Sequence, residues 1–199
     1  LPLLVDIDTG WGSALSISRT IKEMISAGAS GVHIEDQVSE KRCGHRPNKE
    51  IVSSEEMVDR IKAAKDAQTD DNFLLMARTD AFAKGGLHEV IDRSNAFIEA
   101  GAGAIFPEAI STLKDYGEIS KNVSKPILAN ITEFGLTPLF SHDDLADAGV
   151  KIVLHPLSAF RAMSKAAEKV YATLASGGDH EGLLEKMQTR DELYDVLDY

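Results

Sequence analysis

One pattern recurs along this chain of 199 residues: a short apolar run, a polar residue at its end, a loop, and then an amphipathic helix. Each apolar run is short and largely aliphatic, which is typical of buried parallel strands. Strands that alternate with helices over short connections predict βα units around a parallel sheet. The six predicted strands comprise residues 3–7, 32–34, 73–77, 104–106, 126–129 and 152–154.

Three glycines mark predicted turns from helix to strand. Gly28, Gly101 and Gly149 each stand just before a predicted strand, and glycine after a helix commonly supplies the left-handed cap residue. Ser53, followed by acidic residues, is typical of a helix N-terminus. No low-complexity linker interrupts the pattern, so residues 1–199 are predicted to form a single (β/α) barrel domain of the α/β class.

Six βα units fit either an open doubly wound sheet or a (β/α)8 TIM barrel that lacks two strands. Polar side chains follow every predicted strand, and a barrel gathers such groups from all of its strands onto one face. An open sheet needs them mainly where its strand order reverses. No GxGxxG segment follows any strand, which weakens the nucleotide-binding alternative. These observations favour the barrel.

Composition narrows the range of partners. The formal net charge is −11, so the surface repels nucleic acid, and no apolar run approaches the roughly 20 residues of a membrane span. We therefore expect a small-molecule ligand, and neither nucleic acid nor a membrane as partner. The first residues carry no basic leader, and Cys43 has no second cysteine to pair with. Both observations predict a cytoplasmic protein, or one of the mitochondrial matrix in a eukaryote.

Carboxylates cluster after the first two predicted strands. Asp6 and Asp8 lie two residues apart, so strand periodicity predicts that both point to one side, and Glu35 follows the neighbouring strand. Oxygen ligands of this kind suit a hard cation such as Mg²⁺, which would also relieve the repulsion between the carboxylates. The alternative is that the two aspartates cap a helix or begin a turn.

The segment KRCGHR, residues 41–46, surrounds Cys43 with cationic side chains. Cationic neighbours favour the thiolate and a readily exchanged proton, which suits a general acid. Gly44 allows the backbone to approach a ligand closely. A solvated basic loop with an incidental cysteine is the alternative interpretation.

Arg78 follows an apolar strand, where a guanidinium group is costly unless it is paired. It either clamps a carboxylate of a ligand or forms a buried ion pair with Asp80, Glu108 or Glu35. The residue type and its position leave both interpretations open.

The remaining strand ends add hydrogen-bonding groups. Glu108, Asn130 and Thr132 supply acceptors and donors there. A lone histidine in such a setting is more often a satisfied core residue than a ligand, and we expect this of both His33 and His155.

Six segments, in this order, resemble the isocitrate lyase and phosphoenolpyruvate mutase superfamily. They are LVDID (residues 4–8), HIEDQ (33–37), KRCGH (41–45), MARTD (76–80), FPEA (106–109) and ANITEFG (129–135). The KRCGH segment marks the lyase side of the superfamily. Two longer segments, KRCGHRPNK (41–49) and MQTRDELYDVLDY (187–199), resemble the members that cleave 2-methylisocitrate.

The resemblance implies a (β/α)8 barrel that uses Mg²⁺ to cleave a tricarboxylate, 2-methylisocitrate, into pyruvate and succinate. This reaction belongs to the methylcitrate cycle of propionate degradation. The resemblance also implies a homo-tetramer with exchanged C-terminal helices.

The resemblance also assigns expected roles to individual positions. The matched metal positions are Asp6, Asp8 and Glu35, the last acting through water. The catalytic candidates are Cys43, Arg78, His45 and Lys41. The positions that would hold the substrate are Cys43, Gly44, Arg78, Glu108, Asn130, Ile131, Thr132, Arg161 and Arg190.

Chains of this family begin two barrel strands earlier, with a Ser-Gly-Gly substrate-binding segment, and continue into a helical tail. We therefore expect residues 1–199 to correspond to strands three to eight of a barrel domain truncated at both ends. Other functions stay open: isocitrate lyase, oxaloacetate decarboxylase, a phosphonate mutase, or a non-catalytic barrel fragment that serves as a binding module. Cys43 argues against a mutase, and the retained carboxylates argue against a relic.

Overall fold

The computed structural model describes residues 1–178 and 181–199 of the chain. Its strands alternate with helices along the chain, as predicted. The strands are β1 Leu4–Asp6, β2 Gly31–Glu35, β3 Leu74–Thr79, β4 Ala104–Pro107, β5 Leu128–Asn130 and β6 Ile152–Leu154. The helices are α1 Ala14–Ser26, α2 Ser54–Asp66, α3 Phe82–Glu99, α4 Leu113–Asn122, α5 His142–Asp147, α6 Ser158–Ala175 and α7 Arg190–Leu197. All six predicted strands are confirmed, with ends that differ by at most two residues.

The strands pair in the order in which they occur along the chain. A four-stranded sheet has the order β1-β2-β3-β4, and β5 pairs with β6. Every pairing between these strands is parallel, and a parallel bridge from Ile105 to Ile127 continues the order from β4 toward β5. A doubly wound sheet would reverse its strand order at a switch point, whereas sequential parallel order is that of a barrel wall.

Local sequence signals explain where the elements begin and end. The Ser53 side chain accepts a hydrogen bond from the Glu56 N–H and so caps α2. Gly28, Gly101 and Gly149 have φ values of 86°, 118° and 88°. These left-handed conformations confirm the predicted helix-to-strand turns, because a side chain there would be strained.

Apolar side chains form two separate clusters on the two faces of the sheet. The larger cluster joins strand residues such as Val32 and Ile34 to Ile17 and Ile21 of α1 and to Met57 of α2. A smaller cluster contains Met76, Ala104, Phe106 and Leu128. Burial on both faces explains why the strands read as continuous apolar runs and not as alternating ones.

The chain divides into two compact units, residues Leu1–Pro156 and Leu157–Tyr199. The first contains all six strands. The second contains α6, a 3₁₀ helix over Glu181–Lys186 and α7, whose N-terminus has a capping box of Thr189 and Glu192. A single barrel domain over residues 1–199 stays a prediction. Within the described residues, no helix combines the length and the apolar character needed to cross a membrane.

Candidate active site at the strand ends

Arg78, near the end of β3, lies among three buried carboxylates. Its Nε donates to Asp80 Oδ2 at 2.9 Å, its Nη2 lies 3.1 Å from Glu108 Oε2, and its Nη1 lies 3.4 Å from Glu35 Oε2. The guanidinium carbon also lies over the Phe106 ring, 5.1 Å from the centroid. The ion-pair interpretation of Arg78 is therefore confirmed, and all three candidate carboxylates are its partners.

Each of these carboxylates has a second basic partner. The pairs are Lys41 with Glu35 at 3.4 Å, Lys49 with Asp80 at 2.8 Å, and His45 with Glu108 at 3.1 Å. Buried charges are tolerated when each is paired and hydrogen-bonded, because desolvation is then offset by local attraction. The site is therefore a connected network, in which removal of one charged side chain alters the charge balance around its neighbours.

Burial and neighbouring charge oppose each other at two of these carboxyl groups. Burial raises the pKa of Glu35 to about 7, because the charges of Arg78 and Lys41 only partly offset the loss of water. Burial also acts to raise the pKa of Glu108, but the hydrogen bond from His45 and the charge of Arg78 outweigh it. The pKa of Glu108 falls to about 2, so this group is ionised at neutral pH.

Asp6, Asp8 and Lys41 meet at the end of β1. The Asp8 N–H donates to Asp6 Oδ1 at 2.9 Å, and Trp11 Nε1 donates to Asp8 Oδ2 at 2.7 Å. Lys41 Nζ lies 2.5 Å from Asp8 Oδ1, and this hydrogen bond lowers the pKa of Asp8. β1 ends at Asp6, and Asp8 has a left-handed φ of 52°. A turn brings the two aspartates together, which corrects the prediction that strand periodicity aligns them.

The carboxylates at this strand end have the chemistry of a Mg²⁺ site. Glu35 Oε1 is buried without a hydrogen-bond partner, and Lys41 Nζ bridges Glu35 and Asp8. An ammonium between two carboxylates lies where a hard cation would be favoured. Among residues 1–178 and 181–199, no group of three or more His, Cys, Asp and Glu side chains is arranged to hold a metal ion as it stands. The residues fit Mg²⁺ in type and charge, and Lys41 supplies the neutralising charge in this structure.

Cys43 lies on the loop between β2 and α2, exposed to solvent, and lines a cavity of about 580 Å³. The other lining residues are Lys41, Arg42, Arg46 and Pro47. Three cationic side chains therefore line the same space as the thiol, which confirms the cationic setting predicted for Cys43. The volume is in the range of small-molecule sites, and the charge favours an anion.

Gly44 is buried against the ion pairs of the strand ends. A Cβ built on Gly44 would overlap Glu108 Cγ and lie 2.5 Å from Arg78 Nη2. The close approach that the sequence predicts therefore occurs, but it is to side chains of the site. It brings the residue after Cys43 into contact with two of the predicted substrate-binding residues.

His45 joins the cysteine loop to the loop that follows β5. The Leu136 N–H donates to His45 Nδ1 at 2.9 Å, so the ring proton of the neutral form lies on Nε2. Nε2 then donates to Glu108 Oε1, 3.1 Å away. His45 thereby orients Glu108 and ties together two segments that are 91 residues apart.

The end of β5 supplies three of the predicted substrate positions. Asn130, Ile131 and Thr132 are all buried. Asn130 Nδ2 lies 3.4 Å from both carboxylate oxygens of Glu108, and its Oδ1 is buried without a partner. An unsatisfied buried acceptor next to Glu108 is a position at which a ligand could donate a hydrogen bond.

The two expected core histidines differ. His33 is buried, and burial lowers its pKa; its Nδ1 lies 3.7 Å from Asp6 Oδ1 but has no hydrogen-bond partner. It packs edge-on against Phe106. His155 is exposed, with its Nε2 2.9 Å from His142 Nε2, so the prediction of a core role for His155 is wrong.

Arg161 and Arg190 belong to the second compact unit, on α6 and at the first residue of α7. Both are exposed there. Their part in substrate binding stays a prediction from the resemblance.

Two buried side chains near Cys43, Gln37 and Lys49, were absent from the candidates chosen by sequence. Both bond to the main chain of the cysteine loop. They are the last residues of the segments HIEDQ and KRCGHRPNK, which carry the family resemblance. Nothing in residue type or spacing indicated that they would turn inward.

Comparison with known proteins agrees with this site. Residues 1–175 match the family model described as phosphoenolpyruvate phosphomutase. The chain is 59% identical to the 2-methylisocitrate lyase of Escherichia coli (strain K12) over 200 residues, which covers all of this chain and 68% of that protein. The 2-methylisocitrate lyase of Bacillus subtilis (strain 168) is 44% identical, with 65% of its length covered.

Solved structures show the same relationship. A 2,3-dimethylmalate lyase of the PEP mutase/isocitrate lyase superfamily has a TM-score of 0.83 and 33% identity, over 99% of this chain and 66% of that one. Phosphonopyruvate hydrolase in complex with oxalate and Mg²⁺ has a TM-score of 0.83 and 28% identity, over 100% and 69%. This chain spans about two thirds of the length of these relatives. It belongs to the isocitrate lyase and phosphoenolpyruvate mutase superfamily and, within it, to the 2-methylisocitrate lyases.

Proposed function

We propose that this chain carries the catalytic site of a 2-methylisocitrate lyase, which cleaves the C2–C3 bond of 2-methylisocitrate to give pyruvate and succinate. The observation that carries the proposal is the setting of Cys43. The thiol lines a cavity with Lys41, Arg42 and Arg46, and the adjacent Gly44 packs on the buried site at the strand ends. The identity of 59% to a curated lyase of this name supports the choice of substrate.

Charge explains how an acidic protein could hold a tricarboxylate. The net charge of −11 repels an anion at long range. Around Cys43 the field is reversed, because three cationic side chains line one cavity. Arg78 adds a guanidinium group whose charge its three carboxylate partners offset and whose orientation they hold fixed.

The reaction needs a proton at one carbon. The C2 hydroxyl releases its proton to solvent and C2 becomes the ketone carbon of pyruvate, while the C2–C3 electron pair moves onto C3 and spreads into the adjacent carboxylate. Arg78 and the cations of the loop would stabilise this extra negative charge. Cys43 would then donate its proton to C3, which completes succinate, and regain a proton from solvent.

Asp6, Asp8 and Glu35 are the residues that would hold Mg²⁺. When bound, Mg²⁺ lowers the pKa of the substrate hydroxyl and offsets the charge that develops during bond cleavage. Lys41 bridges Asp8 and Glu35 and also lines the cavity of Cys43, so its ammonium group would favour a negatively charged substrate there. The solved Mg²⁺ complex of phosphonopyruvate hydrolase supports this metal.

The architecture extends the proposal to the whole protein. The six strands would be strands three to eight of a (β/α)8 barrel, which the sequential parallel order supports. The complete protein would be a cytoplasmic homo-tetramer acting in propionate degradation.

A chelation experiment tests the proposal. The full-length protein, 2-methylisocitrate and Mg²⁺ should yield equal amounts of pyruvate and succinate, measured by NMR. EDTA should abolish the reaction and added Mg²⁺ should restore it. Undiminished turnover in chelator would contradict the metal assignment. Isocitrate lacks one methyl group of 2-methylisocitrate, a difference that a pocket discriminates by about 1–3 kcal/mol. Faster cleavage of isocitrate than of 2-methylisocitrate would contradict the substrate assignment.

A further inference from the structure

The two ends of the loop that carries Cys43 lie next to each other and are joined by backbone hydrogen bonds. The Val38 N–H donates to Glu50 O at 3.1 Å, and the Val52 N–H donates to Asp36 O at 2.8 Å. These bonds tie the two ends of the loop but do not reach its tip. The position of the thiol therefore depends on further contacts of the loop, both within it and with the strand ends.

Gln37 holds the peptide unit on the N-terminal side of Cys43. This side chain is fully buried at the base of the loop. Its Nε2 donates to Arg42 O at 2.9 Å, and its Oε1 accepts from the Arg42 N–H at 2.9 Å. Two bonds to both polar groups of one residue fix the orientation of its backbone as well as its position.

Lys49 holds the carbonyl group of Gly44, the residue that follows Cys43. Its Nζ donates to Gly44 O at 2.6 Å and to Asp80 Oδ1 at 2.8 Å. The same Asp80 carboxylate accepts from Arg78 Nε at 2.9 Å. Lys49 therefore connects the residue after the thiol directly to the carboxylate that orients Arg78.

We propose that Gln37 and Lys49 are positioning residues that set the place of the Cys43 thiol by holding the backbone of Arg42 and of Gly44, the residues on either side of it. This inference rests on the proposed function, in which Cys43 delivers a proton to C3. Proton delivery requires the thiol within hydrogen-bond reach of that carbon, and a displacement of about 1 Å can cost on the order of 10²-fold in rate.

The burial of Lys49 indicates that this residue positions the backbone and does more than close the loop. Its side chain is 4% exposed and Asp80 is fully buried, so forming this pair required the removal of two charges from water. A well-packed apolar side chain would close a loop at least as well, because a buried ion pair often adds no net stability. What the apolar residue lacks is a donor for the Gly44 carbonyl.

The test uses the full-length protein with Lys49→Met and Gln37→Met, each alone and combined with Cys43→Ser. Lys62→Met, on an exposed position of α2, is the matched control. Steady-state kinetics and melting temperature are measured for every variant. The rate of alkylation of Cys43 by iodoacetamide is followed by peptide mass spectrometry, which does not require activity.

Each positioning variant should lose roughly 10–100-fold in kcat with KM changed by less than threefold, while Lys62→Met stays at the wild-type value. In the Cys43→Ser background the same substitutions should cost less than threefold, because residues that act through one group are not additive. Equal losses in both backgrounds would overturn the proposal. If Lys49→Met does not fold, Gln37→Met, which alters no charge, decides by the same comparison.

Alkylation separates failure of this inference from failure of the proposed function. Release of either peptide unit should change the alkylation rate of Cys43 by threefold or more. If no form cleaves 2-methylisocitrate, the proposed function fails, and the alkylation rates alone decide the inference. Rates equal to those of wild type and Lys62→Met would overturn it.

Discussion

At the scale of single residues, the thiol of Cys43 stands in a setting that no other described side chain shares. It is exposed, while the ion pairs around Arg78 are buried, so it can meet a ligand and exchange a proton with solvent. Lys41, Arg42 and Arg46 line the same cavity. An acid at this point works through its proton and contributes little to holding the substrate.

Cys43→Ser should therefore impair the chemical step. Serine keeps the size and the hydrogen bonding but is a far weaker acid, so kcat should fall by roughly 10²–10⁴-fold while KM changes little. Steady-state kinetics of the full-length variant measure both constants. A variant with a wild-type melting temperature and turnover within a few-fold of wild type would remove Cys43 from the mechanism.

Glu108 makes a pH-dependent contribution to stability. Its pKa in the folded protein, about 2, lies below the ordinary value of 4.5, so its ionised form stabilises the fold above about pH 4.5. This contribution is lost as the pH falls toward 2. In Glu108→Gln the free energy of unfolding should vary less with pH over this window, by on the order of 2 kcal/mol. Denaturant titrations at a series of pH values that run parallel for both proteins would contradict this.

At the scale of elements, the site depends on how closely the cysteine loop approaches the strand ends. Gly44 is the point of contact, since a methyl group there would meet Glu108 and Arg78. His45 then connects the loop to Leu136 beyond β5. The loop is therefore held in place by its contacts with the strand ends and with the segment that follows β5.

Gly44→Ala should push the loop away from the strand ends. We expect kcat to fall by roughly 10–100-fold and stability to drop by about 1–3 kcal/mol, because nothing near the added methyl can yield without breaking an ion pair. Gly117→Ala, in α4 with open space around it, is the control and should stabilise slightly. Activity assays and thermal melts compare the two; equal behaviour would contradict the contact.

The strands could be predicted because burial on both faces leaves apolar runs, and the site could be placed because polar residues follow each run. The orientation of Asp8 relative to Asp6 could not be predicted, because a left-handed turn at Asp8 replaces the strand conformation that the periodicity assumes. The inward turn of Lys49 depends on Asp80, which lies 31 residues away and is invisible in local pattern. Arg161 and Arg190 came from resemblance alone, since on pattern they are ordinary charges of helix surfaces.

At the scale of the whole molecule, the second compact unit exposes large apolar side chains. Phe160 and Met163 of α6 are 60% and 63% exposed, and Tyr171 is 72% exposed. Large apolar side chains that are exposed together on one helix are typical of an interaction surface. We propose that a second copy of the chain covers these side chains in the proposed homo-tetramer.

Replacing Phe160 and Tyr171 together by serine should therefore weaken assembly of the full-length protein. Each substitution removes apolar surface that an interface would bury, and buried apolar surface contributes about 25 cal/mol per Å² to the free energy of association. Sedimentation velocity over a range of concentrations should show dissociation of the variant at concentrations where wild type stays tetrameric. Lys165→Ser, an exposed change on the same helix, is the control. Identical sedimentation of all three proteins would contradict the assignment.

The central claim is that this site breaks the C2–C3 bond of 2-methylisocitrate and delivers a proton from solvent to C3. The most direct test is the reaction of the full-length protein with 2-methylisocitrate and Mg²⁺ in D₂O, with the products examined by NMR and mass spectrometry. We predict pyruvate and succinate in equal amounts, with one deuterium bound to carbon in each succinate. Absence of the two products, or succinate without deuterium, would contradict the account.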